Sequence, residues 1–263
     1  MISFLFKPSF AGSPSSLSTH PLKIQTAPAI FLSLLLLIVC NPSAHAQSAQ
    51  TDWGALLQSP LRLGKDIKQD STRSPVELLQ FTQVRAGWRV MDIYSGGGYT
   101  AQLMALAVTP SGKVYAQMDK PSKAFEERLS LHPQANIEFI QRPMEELLPS
   151  GTTKLDLITL IYSYHDIAYM PLDRLKMDKV IYDSLREGGV FVIIDHSAKE
   201  GSGLEDTKTL HRIDKNLVIQ DFLSVGFKLD QEGDFLKNPL DLRDQVSTKT
   251  TPHADGFVLR FKK

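Results

Sequence analysis

Histidine and aspartate stand together at three places in the second half of this chain: Tyr164-His165-Asp166, Asp195-His196, and His211-Arg212-Ile213-Asp214. Histidine exchanges a proton near neutral pH, and a neighbouring carboxylate fixes the ring and stabilises its charged form. The pattern points to acid–base chemistry, with His165 the first candidate base and His196 the second. Asp166 or Asp195 would orient the imidazole, and His211 belongs to the same set. Each pair also has a structural alternative, hydrogen bonding to loop backbone. These five residues could converge as metal ligands, but no H-E-x-x-H or comparable short spacing is present, so no metal centre is assigned. Ser163 and Ser197 lack the G-x-S-x-G setting of an activated serine. Arg212 has two readings, an ion pair at a capped helix start or a clamp on a ligand carboxylate or phosphate.

A second constellation lies upstream, in Val90-Met91-Asp92-Ile93-Tyr94-Ser95-Gly96-Gly97-Gly98-Tyr99-Thr100. An apolar run passes through Asp92 into three glycines, and a helix-favouring segment follows. Glycine lets the backbone turn tightly and approach a ligand, while the helix start offers free N–H groups. The arrangement suits a nucleotide-like ligand held by Asp92, Gly96, Gly97, Gly98, Tyr99 and Thr100. The next strand would bring Gln117, Met118 and Asp119 to the same edge.

The elements that must carry these residues alternate. Ser74-Pro75-Val76-Glu77 reads as a helix start with Ser74 as cap. Strands are expected over 88–94, 113–118, 136–141, 155–162 and 190–195, and helices over 99–108, 122–131, 144–148 and 172–186. Glu187-Gly188-Gly189 reads as the stop of the last of these helices, and Tyr162 and Tyr164 as same-facing residues of one strand. Asp214 is placed as cap of a helix over 215–225, and strands near 227–232 and 257–261 close the sheet. This alternation predicts a doubly wound α/β domain with a mostly parallel sheet, whose ligand lies outside the carboxyl ends of the strands.

The chain has 263 residues, and the first 46 read as a secretory signal peptide. Lys7 and Lys23 precede or flank an apolar run from Ala29 to Cys40, and Ala44-His45-Ala46 places cleavage before Gln47. Export, most simply to a periplasm, is the expectation, with no membrane attachment after removal of the leader. Cys40 is the sole cysteine, so the mature part has neither disulfide nor thiolate metal site. With 27 basic and 29 acidic residues that part carries no electrostatic footprint for nucleic acid. Residues 47–73 are expected to form a short helical arm, and 74–263 the α/β domain.

Over roughly residues 70–263 the chain resembles the class I S-adenosylmethionine-dependent methyltransferases. Within them it is similar to exported bacterial proteins known only as predicted methyltransferases. Gly96-Gly97-Gly98-Tyr99-Thr100, Tyr164-His165-Asp166, Asp195-His196-Ser197-Ala198 and Thr209-Leu210-His211-Arg212-Ile213-Asp214 carry the likeness. The resemblance implies a Rossmann-like sheet of seven strands with the last antiparallel, S-adenosylmethionine as cofactor, and methyl transfer to a small-molecule acceptor. Three positions depart from the family pattern. Tyr94 replaces the first glycine of Asp-x-Gly-x-Gly-x-Gly. Met118 stands where an acidic residue binds the ribose, with Asp119 one residue late. Arg142-Pro143 falls where an acidic residue meets the adenine. These departures keep two alternatives open: a non-catalytic ligand-binding protein of the same fold, or another enzyme built on the rim histidines.

Overall fold

Four short helices lead the described part of the chain, α1 (Trp53–Leu57), α2 (Gly64–Ile67), α3 (Asp70–Arg73) and α4 (Pro75–Thr82). Strand and helix then alternate through β1 (Arg89–Ile93), α5 (Tyr99–Ala107), β2 (Lys113–Gln117), α6 (Lys123–Leu131), β3 (Ile137–Ile140) and β4 (Leu155–Ile161). The remainder comprises α7 (Tyr164–Ile167), α8 (Arg174–Ser184), β5 (Leu185–His196), α9 (Thr207–Leu210), α10 (Lys215–Ser224), β6 (Lys228–Gly233) and β7 (Gly256–Lys262). The computed structural model describes residues 51–149 and 151–263. The expected leader 1–46, its Ala46–Gln47 cleavage point and Cys40 lie outside the described residues.

The strands form one seven-stranded sheet in the order β3-β2-β1-β4-β5-β7-β6. Strands β1 to β5 pair in parallel, and β7 is inserted antiparallel between β5 and β6. This is the class I methyltransferase arrangement. The apolar runs of β1 and β5 are continuous because both faces are covered, and alternate residues serve opposite layers. Val90, Val192 and Ile194 pack with Leu79, Leu103 and Met104 on one side. Met91, Phe191 and Ile193 pack with Ile181, Phe222 and Phe261 on the other. The parallel register sets Asp92 opposite Thr159 and Ile161 opposite Ile194, so the carboxyl ends of β1, β4 and β5 share one edge.

The arm is fastened to the sheet and belongs to the same compact unit, Gln50–Lys263. Trp53 is buried in the first core layer, and the Arg62 guanidinium pairs with Asp70 at 2.6 and 2.7 Å. Arg128 of α6 is buried and binds Asp66 of α2, Gln102 of α5 and the carbonyl of Gly97. One cation thus joins the arm to the glycine turn.

Several local expectations are corrected. Residues 144–148, flanked by Pro143 and Pro149, form a turn and no helix. Helix α8 ends at Ser184, and Gly188 and Gly189 lie inside β5, with Gly188 at φ +69°. Ser74 does not cap α4: it is itself left-handed at φ +46°, and its side chain makes no capping bond. Tyr162 and Tyr164 do not face the same way. Strand β4 ends at Ile161, and Tyr162 turns left-handed at φ +57° toward the sheet edge. Tyr164 drops into the second core layer, where its hydroxyl donates to Asp178 at 2.8 Å. Asp214 does cap α10, accepting from Asn216 N at 2.8 Å.

Candidate functional site

Two clefts open side by side on the carboxyl edge. The smaller, about 190 Å³, is lined by Asp92, Tyr94, Ser95, Gly96, Gly97, Tyr99 and Thr100, closed by Arg73, Ile161, Tyr162 and Ser163. Asp92 sits at its floor, accepting from Ser95 Oγ at 2.5 Å and Thr159 Oγ1 at 2.7 Å. Burial disfavours its ionised form and pushes its pKa up to about 6, with those two hydroxyls opposing the shift.

The turn above Asp92 explains the missing glycine. Tyr94 keeps the left-handed backbone that glycine would supply, at φ +54°, a conformation that costs a side-chain-bearing residue about 1–3 kcal/mol. Gln117 offsets that cost in part: its Oε1 accepts from Tyr94 N at 3.1 Å while its Nε2 donates to the Arg142 carbonyl at 2.7 Å. Gly98 is required by space as well as by φ, +77°. A Cβ there would lie 2.7 Å from Phe125 Cδ2 and 3.0 Å from Arg128 Nε.

Of the nine residues expected to meet a cofactor, Asp92, Gly96, Gly97, Tyr99 and Thr100 line this cleft. Gly98 shapes the turn from behind. The β2 residues Gln117, Met118 and Asp119 do not line this cleft. Gln117 is spent bracing Tyr94, Met118 is buried in the first core layer, and Asp119 is exposed. The Tyr99 hydroxyl is also committed, donating to Asp70 at 2.7 Å, although its ring borders the cleft.

The larger cleft, about 560 Å³, is walled by Arg73, Tyr162, His165, Asp166, His196 and His211, with Gln69, Thr72, His253 and the 246–254 segment opposite. Asp195 lies behind His165, fully buried. Its Oδ1 accepts from His165 Nδ1 at 2.6 Å and from His196 N at 2.8 Å, and its Oδ2 accepts from His165 N at 2.8 Å. With Nδ1 donating, His165 Nε2 faces the cleft, 3.3 Å from Asp166 Oδ1. His211 Nδ1 approaches the same Asp166 oxygen at 3.1 Å. Burial would lower the His165 pKa, but the hydrogen bond to Asp195 and the charges of Asp195 and Asp166 outweigh it and raise it. His196 differs. Its ring stacks on Tyr162 at 4.6 Å, its Nδ1 is buried with no partner among the described residues, and burial drives its pKa down to about 4. It is a weak proton acceptor at neutral pH.

All five rim residues therefore converge, with Asp195 as the bracket and His165 as the presented ring. Arg212 does not join them. It is wholly buried, bound to Asp241 at 2.9 Å and to the Gln245 and Ser197 carbonyls, so it ties loops together; its ion pair runs to Asp241 and not to Asp214 within its own segment.

Arg73 is the residue that sequence reasoning missed. It lines both clefts, with its guanidinium 4.8 Å from the Tyr99 ring and 5.5 Å from the Tyr162 ring. Among the described residues this guanidinium has no hydrogen bond and no ion pair. Only its place in a polar arm segment was visible, and that gave no signal.

The sequence model of the ubiE/COQ5 methyltransferase family matches residues 73–213, a span that carries the glycine turn and every rim histidine and aspartate named above. The chain belongs to the ubiE/COQ5 methyltransferase family. A relative, the uncharacterized methyltransferase YcgJ of Bacillus subtilis (strain 168), is 28% identical over 131 residues, 49% of each chain. The match thus spans about half the length of that relative. The fold is similar to a SAM dependent methyltransferase from Aquifex aeolicus, with TM-score 0.56 and 15% identity over 81% of this chain and 99% of that one. It is also similar to the [4+2]-cyclase SpnF, with TM-score 0.57 and 13% identity over 74% and 81% of the two chains. This member of the methyltransferase family therefore shares its sheet with proteins named for different reactions, and what it does has to be argued from the two clefts.

Proposed function

We propose that this enzyme binds S-adenosylmethionine across the glycine cleft and transfers its methyl group to a small acceptor seated among the rim histidines. The observation that carries the proposal is the shared wall. Arg73 and Tyr162 line both clefts, so a ligand held at Asp92 and Gly96 ends next to His165. The glycine cleft alone is smaller than the roughly 300–1,000 Å³ of ordinary small-molecule sites. Joined to its neighbour it is large enough for a nucleoside and an acceptor together.

The residues fit the amino-acid end of the cofactor. Buried Asp92 offers a carboxylate to an ammonium group, and unpaired Arg73 offers a fork to a carboxylate. The cofactor supplies a methyl group on a positively charged sulfur. The chain supplies position: methyl transfer is an in-line displacement, and holding the two partners in line is most of the catalysis. His165 Nε2, fixed by the Asp195 bracket, is within reach to take a proton from an acceptor O–H or S–H. Asp166 and His211 hold the acceptor at the mouth. Export and cleavage before Gln47 complete the proposal, and N-terminal sequencing of protein recovered from the cell envelope tests it; an intact leader there would refute cleavage.

One observation favours a second reading, a non-catalytic ligand-binding protein. At the β2 end Gln117 is committed to Tyr94, and Asp119 is not among the residues lining the glycine cleft. Calorimetric titration of S-adenosylhomocysteine into the protein separates the two. Micromolar binding that Arg73→Ala weakens at least tenfold, with the melting temperature unchanged, supports the transferase. Absence of binding to folded protein removes it.

A further inference from the structure

The geometry points to a divalent transition-metal site, of the zinc class, formed by His165 Nε2, Asp166 and His211 at the wall of the larger cleft. The inference rests on the transferase reading only for its purpose; the site itself stands on three independent features.

The first is spacing. Ligands held about 2.0–2.1 Å from a tetrahedral zinc lie about 3.3–3.5 Å from one another. Asp166 Oδ1 is 3.3 Å from His165 Nε2 and 3.1 Å from His211 Nδ1, and the three residues' ligand atoms all fall within 4.8 Å of one another. A cation enters with small adjustments of side chains already facing one point.

The second is the backing of His165. A metal-bound histidine characteristically donates its other ring N–H to a carboxylate, which fixes the tautomer and strengthens the ligand. Asp195 does this for His165 at 2.6 Å, and it is held rigidly by the backbone N–H groups of His165 and His196. The two carboxylates, Asp166 in contact and Asp195 behind, supply the negative charge that a divalent ion needs.

The third is access. Three protein ligands leave a fourth position, and here that position opens on a cleft of about 560 Å³. Closed structural zinc sites have four protein ligands, whereas open ones hold water or substrate. Two imidazoles and one carboxylate suit zinc or a neighbouring transition metal better than magnesium or calcium, which prefer oxygen.

With the ion in place His165 Nε2 is a ligand and no longer a base. An acceptor hydroxyl or thiol on the fourth position then loses its proton to solvent. Its oxygen or sulfur bonds the incoming methyl carbon as the carbon–sulfonium bond breaks.

The test uses untagged, chelator-stripped protein and Zn²⁺ alone. Competition against a chromogenic chelator is expected to show one ion per chain at micromolar affinity or tighter. His211→Ala and Asp166→Asn each weaken it at least tenfold, and Asp195→Asn weakens it about 10–100-fold through His165. His132→Ala, a control outside both clefts, changes nothing. His211 is partly exposed, so its loss leaves the fold intact, as circular dichroism will verify. Absence of stoichiometric Zn²⁺ binding to the wild type, or wild-type affinity in both ligand variants, overturns the site. Zn²⁺ binding without S-adenosylhomocysteine binding keeps the metal site and removes the transferase; the reverse result removes the metal site alone.

Discussion

Replacing Asp92 by asparagine tests the electrostatics of the glycine cleft, and the size of the effect follows from burial. The carboxyl titrates near 6 in the folded protein, against about 3.9 for an unperturbed aspartate. Its folded pKa is raised, so the native state holds a proton that the unfolded chain releases. The associated stability is complete below pH 4 and is lost as pH rises through 6. At about 1.4 kcal/mol per pKa unit the full loss is about 3 kcal/mol, of which about 1.4 falls between pH 5 and 7.5. The asparagine side chain keeps the neutral shape between Ser95 and Thr159 and does not titrate. Urea unfolding of both proteins at pH 5 and 7.5 should therefore show the wild type losing about 1.4 kcal/mol more than Asp92→Asn over that range. Equal pH slopes would mean that Asp92 is ionised throughout and that its burial is not what the cleft uses. A cationic ligand reverses the preference, since it favours the carboxylate. S-adenosylhomocysteine, with its ammonium group, should bind the wild type more tightly at pH 7.5 than at pH 5, and Asp92→Asn should lose that dependence.

Three further outcomes follow from packing and charge. Gly98→Ala places a Cβ 2.7 Å from Phe125 on a backbone of φ +77°, and urea unfolding should show a loss of about 1–3 kcal/mol; an unchanged midpoint would mean the turn yields freely. Arg128→Ala strands the buried Asp66 carboxylate and the Gly97 carbonyl, for a loss of about 3–5 kcal/mol, together with protease sensitivity of the arm; a loss below about 1 kcal/mol would refute its bridging role. Asp178, pushed up to about 8 by burial and then by the charge of Asp221, bonds Tyr164 and has one oxygen without a partner among the described residues. Its folded pKa is raised, so its stability is lost as pH rises through 8. Asp178→Asn should gain on the wild type between pH 6 and 9 in thermal melts, and parallel melting curves would refute that.

What the sequence made legible is what depends on neighbouring strand ends. Asp195 and His165 lie thirty positions apart, yet β4 and β5 are adjacent and in parallel register at Ile161 and Ile194. Residues just past those ends must meet, and the His165–Asp195 bond follows. The apolar runs of β1, β4 and β5 and the Asp214 cap were legible for the same reason, because each is fixed by local pattern. What was not legible depends on backbone conformations that the residue type disfavours. The pattern showed Tyr94 in a glycine position, but not that the left-handed turn survives there on a hydrogen bond from its own N–H to Gln117. Nothing in the type of His211 announces the φ of +52° at which it stands facing Asp166. Arg73 reaches the shared wall because an arm is pinned by the Arg128–Asp66 pair and the Tyr99–Asp70 hydrogen bond, contacts between distant positions that no periodicity encodes. The divide bears on the chemistry itself. The bracket that orients His165 is built from adjacent strands. The residues that decide what His165 meets, Arg73 from the arm and His211 from a strained turn, come from outside the sheet. Variation in those two, with the sheet unchanged, is therefore the direct route by which this fold would change its ligand.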